Sequence, residues 1–584
     1  MMPKRILLTL LLALGFQAAV YAQLDQSAVI RYTDLQHPVL GKSGMVAAQN
    51  RSSAAVGAKI LADGGNAIDA AIATGFSLAV TLPRAGNLGG GGFMLIHDAA
   101  NDENIAIDYR EMAPQKATRD MYLDDNGDVD TNRSRFSHLA AGVPGTVSGF
   151  YAAHQKFGRL PWKQLLQPAI AQAREGIVVS YDLAGFLGAR QSQLCRNEAA
   201  CGYYYKADGT AYQPGDLLVQ PDLATSLERI AEHGPDGFYK GATADLIIAE
   251  MQRGGGLVDA ESLAAYVPSI RDVEKGSYHG YEIVTMPPPS SGGVHVLQML
   301  NILEHFPVTE MGSGSADSVH LLTEAMRLAF ADRSKHLGDP DHYDVPVEWL
   351  TSKDYGAQLA STIDMQKARN SNDVLPGVVP LFESEDTTHF SVMDKDRNVV
   401  SNTFTLNFSF GSGIAVAGAG FLLNNEMDDF AAKPGVMNAF GMLGGEANAI
   451  AAGKRPLSSM TPVIVFADGE PWFATGSPGG SRIITAVLQM IVNVIDHGMN
   501  LAEAANASRM HHQWYPDQLL LEPGFSPDTI RLLQQRGHTI QQSQSSSGST
   551  QSVEYRDGVF RGASDTRRPG AGSVAPDEFI ADEE

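Results

Sequence analysis

Two runs rich in β-branched and aromatic residues, Thr388 to Met393 and Asn398 to Leu406, flank the turn sequence Asp394-Lys395-Asp396-Arg397. This hairpin constrains the fold more than any other stretch of the chain. Directly at its start stands Asp386-Thr387-Thr388-His389-Phe390. Pairing the arms outward from the turn sets Thr387 opposite Phe404 or Thr405, according to whether the loop has four residues or five. Opposed residues on one face lie about 5 Å apart at Cβ. Thr405 is therefore a candidate to hydrogen-bond the Thr387 hydroxyl, with Asn407 on the same face two residues on. On the hairpin alone, two ordinary strand threonines are the simpler reading.

The bond before Thr387 adds chemistry to that placement. If Asp386-Thr387 is cut, Thr387 becomes a chain start that carries a nucleophile and a base on one residue. A threonine hydroxyl is a poor nucleophile at neutral pH, but a free α-amine with a pKa of about 7.7 to 8.0 can take its proton. Such a chain would cleave amides with no metal and no histidine base. A second hairpin supports this reading: Val463 to Phe466 and Trp472 to Ala474 flank Ala467-Asp468-Gly469-Glu470, where Asp-Gly is a strong turn signal. Counting back from that turn brings Ser458 and Ser459 to the same end as Pro478 and Gly479, although Pro462 and Pro471 disturb the ladder.

After Gly476-Ser477-Pro478-Gly479-Gly480-Ser481, residues Ile483 to Ile495 are apolar except for Thr485, Gln489 and Asn493, which recur every four residues. That spacing predicts a buried helix with one narrow polar stripe. Glycines before a helix let backbone N–H groups point at a ligand from the positive end of the helix dipole. Gly479 and Gly480 are thus placed to bind the oxyanion of a tetrahedral intermediate.

Several runs together resemble the γ-glutamyltranspeptidases, N-terminal-nucleophile hydrolases that process themselves into a large and a small subunit. The matching runs are Gly86-Asn87-Leu88-Gly89-Gly90-Gly91-Gly92-Phe93, Asp108-Tyr109-Arg110-Glu111, Thr387-Thr388-His389, Asn424-Asn425-Glu426-Met427-Asp428-Asp429-Phe430, Lys454 to Met460 and Gly476 to Gly480. The resemblance implies an α/β fold of four αββα layers, with a large subunit 23–386 and a small, catalytic subunit 387–584 staying together. It implies that Thr387 is both the autoprocessing residue, acting on Asp386, and the catalytic nucleophile, supported by Thr405. It implies that Arg110, helped by Ser458 and Ser459, grips the α-carboxylate of a γ-glutamyl group, while Asn407, Glu426 and Asp429 hold its α-ammonium. The division is chemically sound, since guanidinium pairs with carboxylate and acids complement a cation. Gly479 and Gly480 match the oxyanion-hole positions. Glutathione and related γ-glutamyl compounds are the implied donors, water and amino acids or peptides the acceptors, and no cofactor is implied.

Two departures bear on specificity. Glu426 stands where some relatives carry glutamine, and its charge would tighten the grip on the substrate amine. The loop Lys433 to Ile450 resembles the family's lid, but Phe440 sits where bacterial relatives often present tyrosine. Phenylalanine keeps the apolar cover and loses a hydroxyl latch. A looser lid would admit water or bulkier acyl groups.

The rest of the chain narrows the alternatives. Residues Met1 to Ala22 read as a secretory leader, with Lys4 and Arg5, an apolar core from Ile6 to Phe16 and a small-residue site at Val20-Tyr21-Ala22. The expected location is the periplasm. The net charge of −23, two units more negative without Lys4 and Arg5, disfavours nucleic acid and anionic membranes as partners. Cys195 and Cys201 are the only cysteines of the 584 residues, and in an exported protein they predict a short local disulfide. From Ser52 to Val80 the pattern is helical, broken at Gly64-Gly65, with Asn66-Ala67-Ile68-Asp69 starting the second helix. Ser315 or Asp317 is expected to cap a scaffold helix whose polar face carries His320, Glu324 and Arg327.

Rival motifs are weak. Gly41-Lys42-Ser43 lacks the first glycine of a phosphate loop because Gln36 occupies its place. Asp394, Asp396 and Asn398 imitate a calcium loop, yet Val399 and Thr405 replace its glycine and glutamate. Gly89 to Gly92 lacks dinucleotide spacing and is read as a close backbone passage. His511-His512 is adjacent and reads as packing, with no metal site expected. Asp577 to Glu584 reads as a solvated acidic tail. Two other functions remain: an acylase for glutaryl or cephalosporin side chains, and a periplasmic binding protein that never cleaves itself.

Overall fold

The computed structural model describes residues 35–374, 387–543 and 546–580, so the expected leader and Asp386 lie outside the described residues. The chain divides into Met1–His37 and Pro38–Glu584, and the second unit carries the fold below. Along the strand Gly44–Ala48, Met45 and Ala47 join one apolar cluster while Val46 and Ala48 join another. Gly91–Asp98 repeats the split, with Phe93 and Leu95 against Met94 and Ile96. A strand that buries both faces needs a packed layer on each side.

Those layers are two seven-stranded antiparallel sheets with helices outside. In spatial order the first sheet runs Gly572–Val574, Gly44–Ala48, Thr388–Asp394, Val399–Thr405, Gly91–Asp98, Glu103–Tyr109 and Ser269–Asp272. The second runs Val39–Gly41, Val559–Ser564, Gln551–Arg556, Glu470–Thr475, Val463–Ala467, Tyr281–Thr285 and Glu274–Tyr278. The helices Arg51–Ala62 and Ala67–Thr81 cover the outer face of the first sheet, and Gly292–Leu303 and Arg482–Ile495 that of the second. The result is the four-layer αββα sandwich that the resemblance implied.

Local chemistry explains the elements that matter. Asn66 caps Ala67–Thr81 in a reciprocal box with Asp69. The whole helix is buried, and its alanines let it lie close to the sheet. In Arg482–Ile495 the polar stripe finds partners: Thr485 Oγ1 lies 2.9 Å from His511 Nδ1, and Gln489 bonds both N and O of Met510. Cys195 and Cys201 are joined, tying the end of helix Tyr181–Leu194 to helix Glu198–Tyr204.

Two polar stretches are tied into the fold, the second against expectation. Ser315 caps the helix Ala316–His336, and the polar face with His320, Glu324 and Arg327 is buried against polar partners. His320 Nε2 donates to the Asp364 carbonyl and its Nδ1 meets His538 Nε2 at 2.7 Å, so hydrogen bonds satisfy the imidazoles. Asp577 is not part of a solvated tail: its carboxylate accepts from Ser43 Oγ at 2.7 Å and from the Lys42 amide. The neighbouring Glu578 pairs with Arg51. These contacts pin the described part of the C-terminal segment to the first strands.

Candidate active site

Antiparallel register assembles the site at one end of the first sheet. Thr388 pairs with Phe404, which puts Thr387 opposite Thr405 and settles the loop at five residues, 394–398. Thr405 pairs in turn with Gly91, and Gly92 with Tyr109, so Arg110 leaves its strand at the same edge. The glycines allow that closeness: a Cβ on Gly90 would collide with the Thr405 carbonyl and one on Gly91 with the Tyr109 carbonyl. This is the backbone passage that the Gly89–Gly92 run suggested.

The chain after Thr405 turns back sharply. Asn407 adopts a left-handed conformation, φ 76°, and its N–H donates to Thr405 Oγ1 at 2.8 Å. Asn407 Nδ2 donates to the Asn425 carbonyl at 2.9 Å, and Phe408 N to Asn425 Oδ1 at 3.1 Å. These bonds dock the short helical turn Glu426–Asp429 beside the threonine pair.

Thr387, Thr405, Arg110, Asn407, Glu426, Asp429, Ser458, Ser459, Gly480 and Phe440 line one cavity of about 20 Å³, together with Met442, Met460 and Ile483. Gly479 lies just outside that lining. The Thr387 hydroxyl is 3.4 Å from Thr405 Oγ1, a long O–H···O contact. His389, two residues on, is fully buried with Thr403 and Ser391 hydroxyls on its ring nitrogens, and burial pushes it down to about 3. It is a neutral structural residue.

The charges pair with one another. Arg110 Nη1 bonds Glu426 and Nη2 bonds Asp429, while Nε donates to the Pro456 carbonyl at 3.2 Å. The expected carboxylate-binding cation therefore sits on the two expected ammonium-binding acids. Glu426 Oε2 and Asp429 Oδ1 are buried with no hydrogen-bond partner among the described residues. A third carboxylate, Glu111, lies 3.5 Å from Arg110, and burial pushes it up to about 7. Burial likewise raises Asp429 against the pull of Arg110.

On the second sheet's side, Ser458 and Ser459 are held by a bridge from Ser458 to Ser290, by Ser458 N to the Pro289 carbonyl at 2.8 Å, and by Ser291. Gly479 and Gly480, with φ of 134° and 56°, precede the N-terminus of the buried helix Arg482–Ile495. Both conformations favour glycine. Phe440 covers the cavity in an edge-to-face contact with Phe408, 5.8 Å between centroids. Its carbonyl accepts from Gln513 Nε2 at 3.0 Å, so the segment is latched through its backbone.

Sequence reading missed three contributors. Glu111 stood inside a quoted run without a role. Gln513 and Arg333 gave no signal, because their partners Phe440 and Ser459 are 73 and 126 residues away. Asp386 is outside the described residues. Among the described residues no helix is long and apolar enough to cross a membrane.

The family model described as gamma-glutamyltranspeptidase matches residues 53–575. The chain is 53% identical over 535 residues to the glutathione hydrolase proenzyme of Escherichia coli K12, covering 91% of this chain and 92% of that protein. Among solved structures, the cephalosporin acylase from Bacillus halodurans superposes with a TM-score of 0.83 at 28% identity, covering 94% of this chain and 98% of that one. The Helicobacter pylori gamma-glutamyltranspeptidase gives a TM-score of 0.55 at 44% identity, covering 57% of this chain and 95% of that one.

Proposed function

The chain belongs to the gamma-glutamyltranspeptidase family, and from that membership we propose a mechanism in which Thr387 acts twice. The protein is a glutathione hydrolase and γ-glutamyltransferase made as a proenzyme, a processed two-subunit enzyme acting on small molecules. In the first stage the Thr387 hydroxyl attacks the Asp386 carbonyl, the peptide becomes an ester, and water cleaves it. Segments 23–386 and 387–584 then remain associated as large and small subunits. Export to the periplasm by way of residues 1–22 belongs to the same proposal.

In the second stage the freed α-amine of Thr387 takes the hydroxyl proton while the oxygen attacks the γ-carbonyl of glutathione or another γ-glutamyl amide. Backbone N–H groups of Gly479 and Gly480 stabilise the oxyanion, and Thr405 orients the nucleophile. The amine departs with the proton, leaving an acyl-enzyme that passes its group to water or to an amino acid. Arg110, Ser458 and Ser459 hold the α-carboxylate, and Asn407, Glu426 and Asp429 the α-ammonium. A cavity of about 20 Å³ holds roughly one water, so the Phe440 segment lifts to admit the donor.

The observation that carries the reading is the convergence of Thr387, Thr405, Arg110, Glu426, Asp429 and both serines on one cavity. An acylase accepting glutaryl groups is the second reading, supported by the likeness to cephalosporin acylase. Against it stand two buried acids at the expected amine position, which a glutaryl chain would leave unanswered. Two assays decide. Mass analysis of purified protein is expected to give two fragments, the smaller starting at threonine. Turnover of γ-glutamyl anilide is expected to exceed that of glutaryl anilide. One intact chain that still hydrolyses glutathione refutes the mechanism, and preference for the glutaryl substrate favours the acylase.

A further inference from the structure

The helix Ala316–His336 carries one cation, Arg333, whose surroundings differ from those of the buried Arg84, Arg327 and Arg509. Arg84 has Asp182 at 2.7 Å, Arg509 has Asp565 at 2.8 Å, and Arg327 has Asp517. Arg333, only 5% exposed, has no carboxylate within ion-pair distance among the described residues. Its hydrogen bonds go to two hydroxyls: Nε to Ser291 Oγ at 2.9 Å and Nη2 to Ser459 Oγ at 3.3 Å. A buried guanidinium without a direct ion-pair partner is costly, and burial pushes Arg333 down to about 10 against the longer-range attraction of Asp429. Strongly perturbed groups in a cleft gather at functional sites.

The two hydroxyls lead straight to the candidate carboxylate subsite. By accepting from Arg333, Ser291 Oγ is left to donate to the Ser458 carbonyl at 2.7 Å, where the Ser291 N–H also points. Ser459 Oγ, accepting from Nη2, sends its own proton to Met442 Sδ at 3.6 Å. Thioether sulfur is a weak acceptor that a carboxylate oxygen displaces. A hydroxyl that already accepts from a cation is also a stronger donor. We propose that Arg333 is a positioning residue for donor recognition: it aims Ser459 and, through Ser291, the Ser458 backbone, and it supplies buried positive charge that the donor's α-carboxylate answers. This rests on the γ-glutamyl reading of the same cavity. Arg110 alone is already committed to Glu426 and Asp429, so a second cation settles the charge balance when a zwitterion enters.

The test compares γ-glutamyl anilide with 4-aminobutyryl anilide, which keeps the ammonium and lacks the α-carboxylate. In Arg333→Met the KM for the γ-glutamyl substrate rises about 10- to 100-fold, the span of a lost charge-assisted contact. The drop in kcat stays smaller than that rise, and kcat/KM for the 4-aminobutyryl substrate falls several-fold less. Arg333→Lys keeps the charge without the fork and recovers part of the loss. Ser291→Ala, which keeps the guanidinium, is expected to show the same bias between substrates to a lesser degree. If Arg333→Met does not accumulate as processed enzyme, the lysine and Ser291 variants decide by that same bias. Equal losses on both substrates, or no loss on the γ-glutamyl one, overturn the proposal. Wild-type enzyme inactive on γ-glutamyl anilide overturns the functional reading instead.

Discussion

Replacing Glu111 with glutamine removes a buried charge while keeping shape, and the structure fixes how the effect varies with pH. The carboxyl is fully buried, 3.5 Å from an Arg110 that Glu426 and Asp429 already occupy, and burial raises it from 4.5 to about 7. Folded protein keeps the proton up to about 7, whereas the unfolded chain releases it near 4.5. Between those values the folded state binds more protons, so stability falls as pH rises. At about 1.4 kcal/mol per pH unit, the whole window is worth on the order of 3 kcal/mol. At a pH of about 5 the folded-state glutamate is protonated and resembles glutamine, and at about 8 it is charged and costly. The measurement is urea unfolding of the parent and of Glu111→Gln, both in the uncleaved Thr387→Ala background, which keeps subunit separation out of the result. The glutamine variant is expected to gain about 2.5 kcal/mol on its parent between those two pH values. A gap that stays constant, or closes with rising pH, refutes the argument.

Three further outcomes follow from the same geometry. Thr405→Val keeps volume and deletes the oxygen facing Thr387, so kcat on a γ-glutamyl anilide falls on the order of 100-fold with little change in KM; an unchanged kcat removes Thr405 from the mechanism. Gly479→Ala places a side chain at φ 134° and against Gly548 Cα at 3.3 Å, shifting the amides before the helix, and steady-state kinetics are expected to show kcat lower by about 100- to 1000-fold. Gln513→Leu removes the donor to the Phe440 carbonyl, and product analysis should show the ratio of hydrolysis to transfer rising more than Phe440→Tyr lowers it; if only the tyrosine variant moves the ratio, the latch is the side-chain hydroxyl and not the backbone.

How far the sequence reaches depends on the span of each interaction. The hairpin that carries Thr387 was legible because β-branched and aromatic enrichment and a turn sequence are local, and the loop length alone was left for the register to settle. The helix after Gly480 was legible because its polar stripe repeats along one face. The second hairpin put the serine pair beside Pro478 and Gly479, but the Glu426–Asp429 turn and the serines' meeting with Arg110 and Thr387 entered only through resemblance, since nothing local says that residues 110, 387, 426 and 458 meet. His320, Glu324 and Arg327 show a limit of another kind. Helical spacing put them correctly on one face, but burial is set by what packs there, and here His538, Asp364 and Asp517 supply polar partners. Arg333 lay beyond reach for the same reason, its meaning residing in Ser291 and Ser459.

Under the proposed function, the pairing of Arg110 with Glu426 and Asp429 predicts discrimination between donors. A site whose cation is already paired with its acids yields it only to a ligand that satisfies both signs. A γ-glutamyl group brings a carboxylate for Arg110 and an ammonium for the acids, exchanging two internal contacts for two external ones at little net electrostatic cost. A glutaryl group brings the carboxylate alone, so taking Arg110 would strand Glu426 and Asp429 as buried anions, and breaking such a pair one-sidedly costs about 3 to 5 kcal/mol. Specificity for the zwitterion then arises from the penalty on its competitor. The same logic predicts that neutralising both acids, Glu426→Gln with Asp429→Asn, narrows the preference for γ-glutamyl over glutaryl anilide, and a preference that survives the double change locates discrimination elsewhere.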